Sequence, residues 1–258
     1  MTWLAYALIG STAGFLAGYL GIGGGLVLVP ALTWLFTQHP GLSTMAVHTA
    51  VATSLATMLF TSLSSVVAHH RAGAIDWRVT RTLTPGLLAG AVSGVLLAGH
   101  LSSDHLAAVF GGFALVAGLH LASGREVDGQ RSLPGSLPMT FTGYVIGGIS
   151  SLVGIGGGSM TVPWLLWHGC RAPRAVATAA ACGYPIALAG TVMFIAIGPA
   201  GGDRWVLGYV HLPALVGVVL FSVATAPLGA RLVHRSRPVV VRRVFGAFLL
   251  LVAARMLA

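Results

Sequence analysis

Two glycine runs with the same pattern are the residues best able to do chemistry in this 258-residue chain. The phrase Gly-Ile-Gly-Gly-Gly occupies residues 21–25 and occurs again at residues 154–158. Successive glycines let a ligand approach the main chain closely, and the amide N–H groups at the start of a helix attract anions. The chemistry that the two runs predict is therefore anion binding by backbone amides.

The two runs belong to a longer internal repeat. Their matched positions are 133 residues apart (154 − 21 = 133), and at this offset Gly14 meets Gly147 and Trp34 meets Trp167. Such a repeat indicates a duplicated unit, and paired glycine-interrupted apolar segments indicate the binding site of a transporter. The alternative is that the glycines only allow close helix packing, as expected of the face made by Gly86, Gly90 and Gly94.

The composition predicts an all-α polytopic membrane protein. Hydrophobic residues make up 56% of the chain and charged residues only 7%, with a mean hydropathy of +0.89. Several nearly uncharged windows are long enough to cross the roughly 30 Å of bilayer hydrocarbon. We expect no cleaved signal peptide, because the first basic residue is Arg71. The two cysteines do not form a disulfide framework.

The basic residues exclude several functions. All 14 are arginines, and the absence of lysine excludes a Walker A loop, a Schiff-base lysine and a lysine nucleophile. The arginines lie in short loops between apolar segments, so they indicate retention on the cytoplasmic side and not nucleic-acid binding. We expect no cofactor and no metal site, since no cluster of ligands has convincing spacing.

The distribution of arginines predicts the topology. The segment from Trp3 to Phe36 would be roughly 51 Å long as one straight helix, so we expect it to break at residues 21–25. If each glycine segment crosses the membrane once, the arginines divide seven to seven between the two sides. If each folds back, the division is twelve to two, as the positive-inside rule expects. This division of the arginines is the same whether the hairpin arms cross half of the membrane or all of it.

The predicted architecture is two inverted repeats, each a glycine-broken helical hairpin followed by three transmembrane helices, or eight segments in the usual count. Both termini are then non-cytoplasmic, and the two glycine turns approach each other near mid-membrane. The first repeat spans 1–123, with a hairpin at 2–37 and helices at 46–68, 79–100 and 104–123. A cytoplasmic linker spans 124–137. The second repeat spans 138–258, with a hairpin at 138–169 and helices at 174–198, 206–230 and 237–257.

The predicted substrate site combines the two turns with the helix that follows each hairpin. The turns contribute Gly21, Gly23, Gly24, Gly25 and Leu26 from the first half and Gly154, Gly156, Gly157, Gly158 and Ser159 from the second. The following helices contribute Thr49, Thr53, Thr178 and Cys182, although such hydroxyls often bond to carbonyls of their own helix instead. The histidines nearest the apolar interior, His48 and His120, are candidates for proton coupling. No carboxylate lies within an apolar segment, which favours an anion over a cation as substrate.

The doubled glycine phrase and the stretch Gly73-Ala-Ile-Asp76-Trp77, with a weaker echo at Gly208–Pro213, resemble the TauE/SafE family. His211 stands where the first repeat has Asp76, so the echo is not symmetric. The resemblance covers the whole chain and implies an eight-segment membrane transporter that exports sulfite or an organosulfonate. The residues themselves support only a small anion.

We therefore expect a secondary transporter that exports a small anion by alternating access from a bacterial plasma (inner) membrane. An anion channel of the same architecture and a carrier for a different small anion stay open. A membrane-embedded enzyme is disfavoured, because no nucleophile–base pair lies within the apolar segments. The expected partners are the anion and the lipid bilayer, and the chain is compatible with a homo-oligomer.

Overall fold

The computed structural model describes residues 2–20, 24–39, 41–123, 129, 131–199, 204–233 and 238–257. These residues are almost entirely helical, as predicted. In chain order the elements are α1 (Thr2–Leu20), α2 (Gly25–Thr37), a 3-10 turn (Ser43–Met45), α3 (Ala46–Arg71), α4 (Trp77–His100), α5 (Ser103–Ser123), α6 (Ser136–Val153), α7 (Gly158–Trp167), α8 (Ala172–Ile197), β1 (Val206–Leu207), β2 (Val210–His211), α9 (Leu212–Val233) and α10 (Pro238–Leu257).

Several helices have the length and composition of membrane spans. Within the described residues, five are long and apolar enough to cross a bilayer, and shorter apolar helices cover Trp3–Ala17, Gly25–Thr37 and Leu212–Ala226. Large apolar side chains are exposed on many of these helices, for example Leu137, Val116 and Leu251. A water-soluble surface rarely carries so many, so these faces are suited to lipid. The chain is an all-α integral membrane protein.

One predicted helix boundary is wrong. Residues 206–211 were expected to begin a helix, but Val206–Leu207 and Val210–His211 pair as a small antiparallel hairpin. Gly208 makes its turn with a φ of +60°, which glycine adopts without strain. Helix α9 begins only after the hairpin, with Pro213 in the first turn, where a missing amide hydrogen costs no hydrogen bond.

The predicted linker is also shorter than expected, because α6 begins at Ser136 rather than at 138. Residues 124–128 and 130 of that linker lie outside the described residues. The described part runs along the end of α7, where the Gly129 amide donates to the Leu166 carbonyl over 3.3 Å. The Arg131 guanidinium lies over the Trp167 ring, 4.7 Å from its centroid.

Glycines on α4 bring its backbone against α6. A Cβ on Gly86 would lie 2.8 Å from the Tyr144 nitrogen, and one on Gly90 would lie 2.9 Å from the Gly148 nitrogen. On α6, a Cβ on Gly143 would lie 2.5 Å from the Leu83 carbonyl oxygen. Real Cβ atoms do not approach so closely, so the two backbones pack as they do only because these residues are glycines. The predicted smooth face on α4 is confirmed.

The first helix makes the matching contact with the other half. Gly10 and Gly14 of α1 face Val218 and Ser222 of α9, and a Cβ on Gly10 would lie 2.8 Å from the Val218 carbonyl oxygen. These glycines match Gly143 and Gly147 of α6 at the 133-residue offset (143 − 10 = 133; 147 − 14 = 133). The first arm of each glycine hairpin thus packs on a helix from the opposite half of the chain.

Because the first arm of each hairpin packs on a helix of the opposite half, much of the fold divides into two groups of helices. The second arms pack on the following helices, α2 on α3 and α7 on α8, while α8 also packs on α4 and α3 on α9. We call α1, α2, α3 and α9 the first group, and α4, α6, α7 and α8 the second group. The second group has a separate apolar core that includes Leu83, Met139, Leu165 and Ile186. The groups meet where α3 packs on α8, and α5 packs on α10 beside them.

The close packing of α4 on α6 predicts a large cost for a single methyl group. Gly90→Ala places a Cβ against the Tyr144 and Gly148 backbones, which cannot move aside as a flexible side chain would. Overpacking of this kind costs about 1–3 kcal/mol. The thermal midpoint of the purified protein, followed by tryptophan fluorescence, should fall clearly.

The matched control is Gly112→Ala on α5, where a Cβ would meet nothing within 4 Å. Its thermal midpoint should equal that of the wild type or exceed it, because alanine favours the helix. Equal midpoints for the two variants would contradict this account of the α4–α6 contact.

Candidate functional site

The second glycine turn joins α6 to α7 without a continuous helix. At its start Gly154 adopts a left-handed conformation, with φ at 71° and ψ at 32°. The amides of Gly154 and Ile155 both donate to the Ser150 carbonyl, which closes α6. The carbonyl of Gly157 then accepts from the Met160 and Thr161 amides and opens α7.

Four consecutive amides in this turn are left open. The N–H groups of residues 156–159 donate to no described residue, because they fall between the last bonds of α6 and the first bonds of α7. They include the first amides of α7, where the helix dipole is positive. Exposing amides without a partner in an apolar interior is costly, so the turn is suited to an acceptor with negative charge.

The first turn has the same local structure where it is described. The Gly24 carbonyl accepts from the Val27 and Leu28 amides, at distances of 3.0 and 2.9 Å, as the Gly157 carbonyl does 133 residues later. Helix α1 ends at Leu20 and α2 begins at Gly25, so residues 3–36 do not form one helix. The predicted site residues Gly21 and Gly23 lie outside the described residues.

The two turns contact each other. A Cβ on Gly25 would lie 2.5 Å from the Gly154 carbonyl oxygen and 2.9 Å from the Ile155 Cα. The beginning of α2 therefore packs directly on the end of α6, and this contact requires glycine at residue 25. Leu26, the next predicted site residue, is fully buried beside this contact.

Two residues of α3 that the sequence did not single out complete the junction of the turns. The Ser54 hydroxyl donates to the Gly154 carbonyl over 2.8 Å, and it is fully buried. The Met58 side chain lies beside Gly25, and its sulfur is 3.5 Å from the position of a Cβ on Gly156. Helix α3 therefore supplies the side chains that the glycine turns lack.

Helix α8 lines the other side of the second turn. A Cβ on Gly183 would lie 3.8 Å from the Gly157 nitrogen, and the Cys182 carbonyl carbon lies 3.9 Å from a Cβ on Gly157. The predicted site residue Cys182 is therefore near the turn through its backbone, and both α8 residues are buried. Ser159 is half-buried, and its hydroxyl donates to the Gly156 carbonyl over 3.5 Å.

Two of the predicted threonines hold segments from the opposite half. The Thr178 hydroxyl accepts from the Asp76 amide and the Thr53 hydroxyl accepts from the His211 amide, each over 3.0 Å. Thr49 is buried on α3 one turn before Thr53. Thr178 thus ties the start of α4 to α8, and Thr53 ties the start of α9 to α3, so each threonine joins the two halves of the chain within one group of helices.

The matched residues Asp76 and His211 each cap the helix that follows. The Asp76 carboxylate accepts from the Arg78 and Val79 amides, and the His211 Nδ1 accepts from the Ala214 amide. Asp76 also pairs with Arg174 of α8 at 3.0 Å. The asymmetry noted in the sequence therefore replaces a carboxylate by an imidazole at one structural position.

The two histidine candidates differ in their surroundings. The His48 Nε2 lies 3.0 Å from the Ala98 carbonyl, and its buried ring stacks on Tyr209 with centroids 5.3 Å apart. His120 lies in the last turn of α5 with an exposed side chain. In the described part of the chain, no three His, Cys, Asp or Glu side chains cluster as a metal site.

The Ser54 hydrogen bond predicts a stability effect at the junction. Ser54→Ala leaves the buried Gly154 carbonyl without its donor, which costs about 1–3 kcal/mol. The thermal midpoint should fall, whereas Ser93→Ala should leave it unchanged, since the exposed Ser93 hydroxyl bonds only to Ala89 of its own helix. A midpoint that Ser54→Ala leaves at the wild-type value would argue against this bond.

Known proteins resemble this chain over nearly its whole length. The family described as "Sulfite exporter TauE/SafE" matches residues 6–256. A "Probable membrane transporter protein" of Haemophilus influenzae is 34% identical over 256 residues, which cover 96% of each chain. A protein of Methanocaldococcus jannaschii with the same description is 27% identical over 233 residues, covering 90% of this chain and 86% of the relative.

No solved structure matches the chain. The family match and the Haemophilus relative agree in extent, and both include the two glycine turns with the helices that surround them. The chain belongs to the TauE/SafE family of membrane transporter proteins.

Proposed function

We propose that this protein is a secondary transporter that exports a small anion, and that the anion binds at the junction of the two glycine turns. The observation that carries the proposal is the set of open amides at residues 156–159, beside the contact between Gly25 and Gly154. Oriented amides at a helix N-terminus in an apolar interior stabilise negative charge without a counter-ion.

The charges near the helices support an anion in preference to a cation. Asp76 caps α4 and pairs with Arg174, and the exposed Asp104 lies in the first turn of α5. Both carboxylates are therefore at helix ends. Across the described helices, none lies beside the turns to hold a cation, as carriers of cations generally require.

The reciprocal packing supports an inverted repeat. The first arms exchange partners between the halves, so that α1 packs on α9 and α6 packs on α4. An odd number of crossings between the hairpins would invert the second half, with both termini outside the cytoplasm and twelve of the fourteen arginines inside. The bacterial plasma membrane is the proposed location.

The two groups of helices provide the moving parts for alternating access. Each contains one glycine hairpin, and the turns meet at the boundary between the groups. Rocking one group against the other would open the junction first to the cytoplasm and then to the exterior. The bond from Asp76 to Thr178 stays within the second group and the bond from His211 to Thr53 within the first, so each group can move as a unit without breaking them.

The family description names sulfite, and a sulfur oxyanion or an organosulfonate carries the negative charge that open amides favour. We therefore propose a sulfur oxyanion as substrate and export as the direction. The channel alternative makes a different kinetic prediction. Flux through a carrier saturates with concentration, whereas flux through a channel does not.

Covering one open amide with a methyl group should slow transport. Gly183→Ala places its Cβ 3.8 Å from the Gly157 nitrogen, in ordinary contact, so it covers the amide without displacing other atoms. Loss of one hydrogen bond to a charged group corresponds to about 10- to 100-fold in affinity. Sulfite efflux from proteoliposomes should fall by about tenfold or more.

Gly112→Ala is the matched control, since it adds the same methyl to a helical glycine with open space around it. Both variants should retain the wild-type thermal midpoint or exceed it. Full efflux by a stable Gly183→Ala protein would remove the Gly157 amide from the transport pathway.

The inverted topology has a separate test. Reporter domains that are active only in the cytoplasm should be silent when fused after Ala258 and active when inserted at residue 127. Twelve arginines on the linker side predict this result. Activity at the C-terminal fusion would place the terminus inside and overturn the inverted arrangement.

A further inference from the structure

Thr161 is a buried hydroxyl without a partner, one turn into α7. Its side chain is fully buried and its Oγ1 has no hydrogen-bond partner in the described structure. Helical threonines elsewhere in the chain donate to the carbonyl four residues earlier, as Thr57, Thr84 and Thr142 do. Thr161 lacks this bond to Gly157, so its hydroxyl is free to donate elsewhere.

The free hydroxyl lies beside the open amides of the second turn. The Thr161 Oγ1 is 3.3 Å from the position that a Cβ on Gly157 would take. Gly157 is the N-cap of α7, and the amides of residues 156–159 donate to no described residue. The amides can only donate, and the hydroxyl, which can donate or accept, pairs with none of the described residues, so an anion bound here would satisfy both.

The first turn has no such hydroxyl. Leu28 occupies the matched position (161 − 133 = 28), and its Cδ1 lies 3.6 Å from the position of a Cβ on Gly24. The same offset pairs Leu26 with Ser159. The helix starts at Gly24 and Gly157 are therefore alike in backbone, but the side chains that follow differ, because one presents hydroxyls where the other presents leucine.

We propose that the Thr161 hydroxyl donates directly to the transported anion, and that the second turn alone binds its charged head. The proposal rests on the proposed function and adds a residue and a polarity to that site. In this proposal Leu26 and Leu28 make the first turn the apolar side of the site. An anion with one charged end and one less polar end matches these two walls better than a symmetric dianion does.

Removing the Thr161 hydroxyl should weaken anion binding without lowering the stability of the protein. A buried hydroxyl without a partner destabilises the empty protein, and a hydrogen bond to an anion is about twice as strong as one between neutral groups. The chain therefore carries a cost in the absence of substrate that binding removes. A residue with only a structural role would show the opposite effect, since its removal would lower stability.

The test compares Thr161→Val with Thr33→Val in the purified full-length protein. Valine has the shape of threonine without the hydroxyl, and Thr33 is also buried without a partner but lies two turns inside α2. Sulfite, sulfate, thiosulfate and taurine are titrated separately, and the shift of the thermal midpoint gives the affinity. Gluconate at equal ionic strength corrects for salt effects.

Thr161→Val should have an unchanged or higher midpoint without anion, and an affinity weaker by about tenfold or more. Thr161→Ser, which retains the hydroxyl, should bind within a few fold of the wild type, and so should Thr33→Val. Of the four probes, sulfite and taurine, which is a zwitterionic organosulfonate, should stabilise the wild type more than sulfate does.

Two other outcomes are distinguishable. If the wild type binds and transports sulfite with saturation but Thr161→Val binds it equally well, the assignment of Thr161 is wrong while the proposed function stands. If the wild type responds to none of the four anions in binding or flux, the proposed function fails, and the assignment fails with it. If sulfate stabilises the wild type most, the one-headed site is wrong.

Discussion

Backbone amides without partners at a break in a helix are the constraint on which this structure depends. In lipid, water cannot satisfy them, so a chain that interrupts a helix must surround the break with protein or hold a ligand there. Here the carbonyl of Gly154 accepts a hydrogen bond from the Ser54 hydroxyl, and the Met58 side chain lies beside both turns. The amides of residues 156–159 donate to no described residue, and this is the basis of the proposed anion site.

Glycines leave the amides uncovered at the turns, and elsewhere in the fold they allow helices to pack closely. Glycines on α1 and α4 bring helix backbones into direct contact with α9 and α6, where no larger residue fits. In a bilayer such contacts provide van der Waals energy that hydrophobic burial does not supply. The exchange of arms between halves follows from these contacts, and it places one hairpin in each group of helices. A boundary between the two hairpins is what the proposed alternating access needs.

The internal repeat explains why the two sides of the site are related, and the differences between its copies explain why they are not equal. Asp76 and His211 cap matched helices with different side chains, and Thr161 stands at the position that Leu28 occupies in the first repeat. Backbone geometry is retained because the glycines are retained, whereas side chains were free to diverge. The wrong helix boundary at residues 206–211 has the same origin, since Gly208 allows a hairpin turn that composition alone does not reveal.

Composition and periodic glycines by themselves determined that the chain is an all-α membrane protein, that it is duplicated, and that the breaks fall at residues 21–25 and 154–158. These properties depend on length, hydropathy and local backbone freedom, all of which can be read along one dimension. The sequence also predicted that the two turns approach each other, but only the tertiary structure decided that Gly25 meets the Gly154 carbonyl, that Ser54 and Met58 close the junction, and that the hydroxyl of Thr161 has no partner among the described residues. Those facts depend on which helices pack together and on rotamers within the packed core, and residues 100 positions apart leave no local signal of their contact.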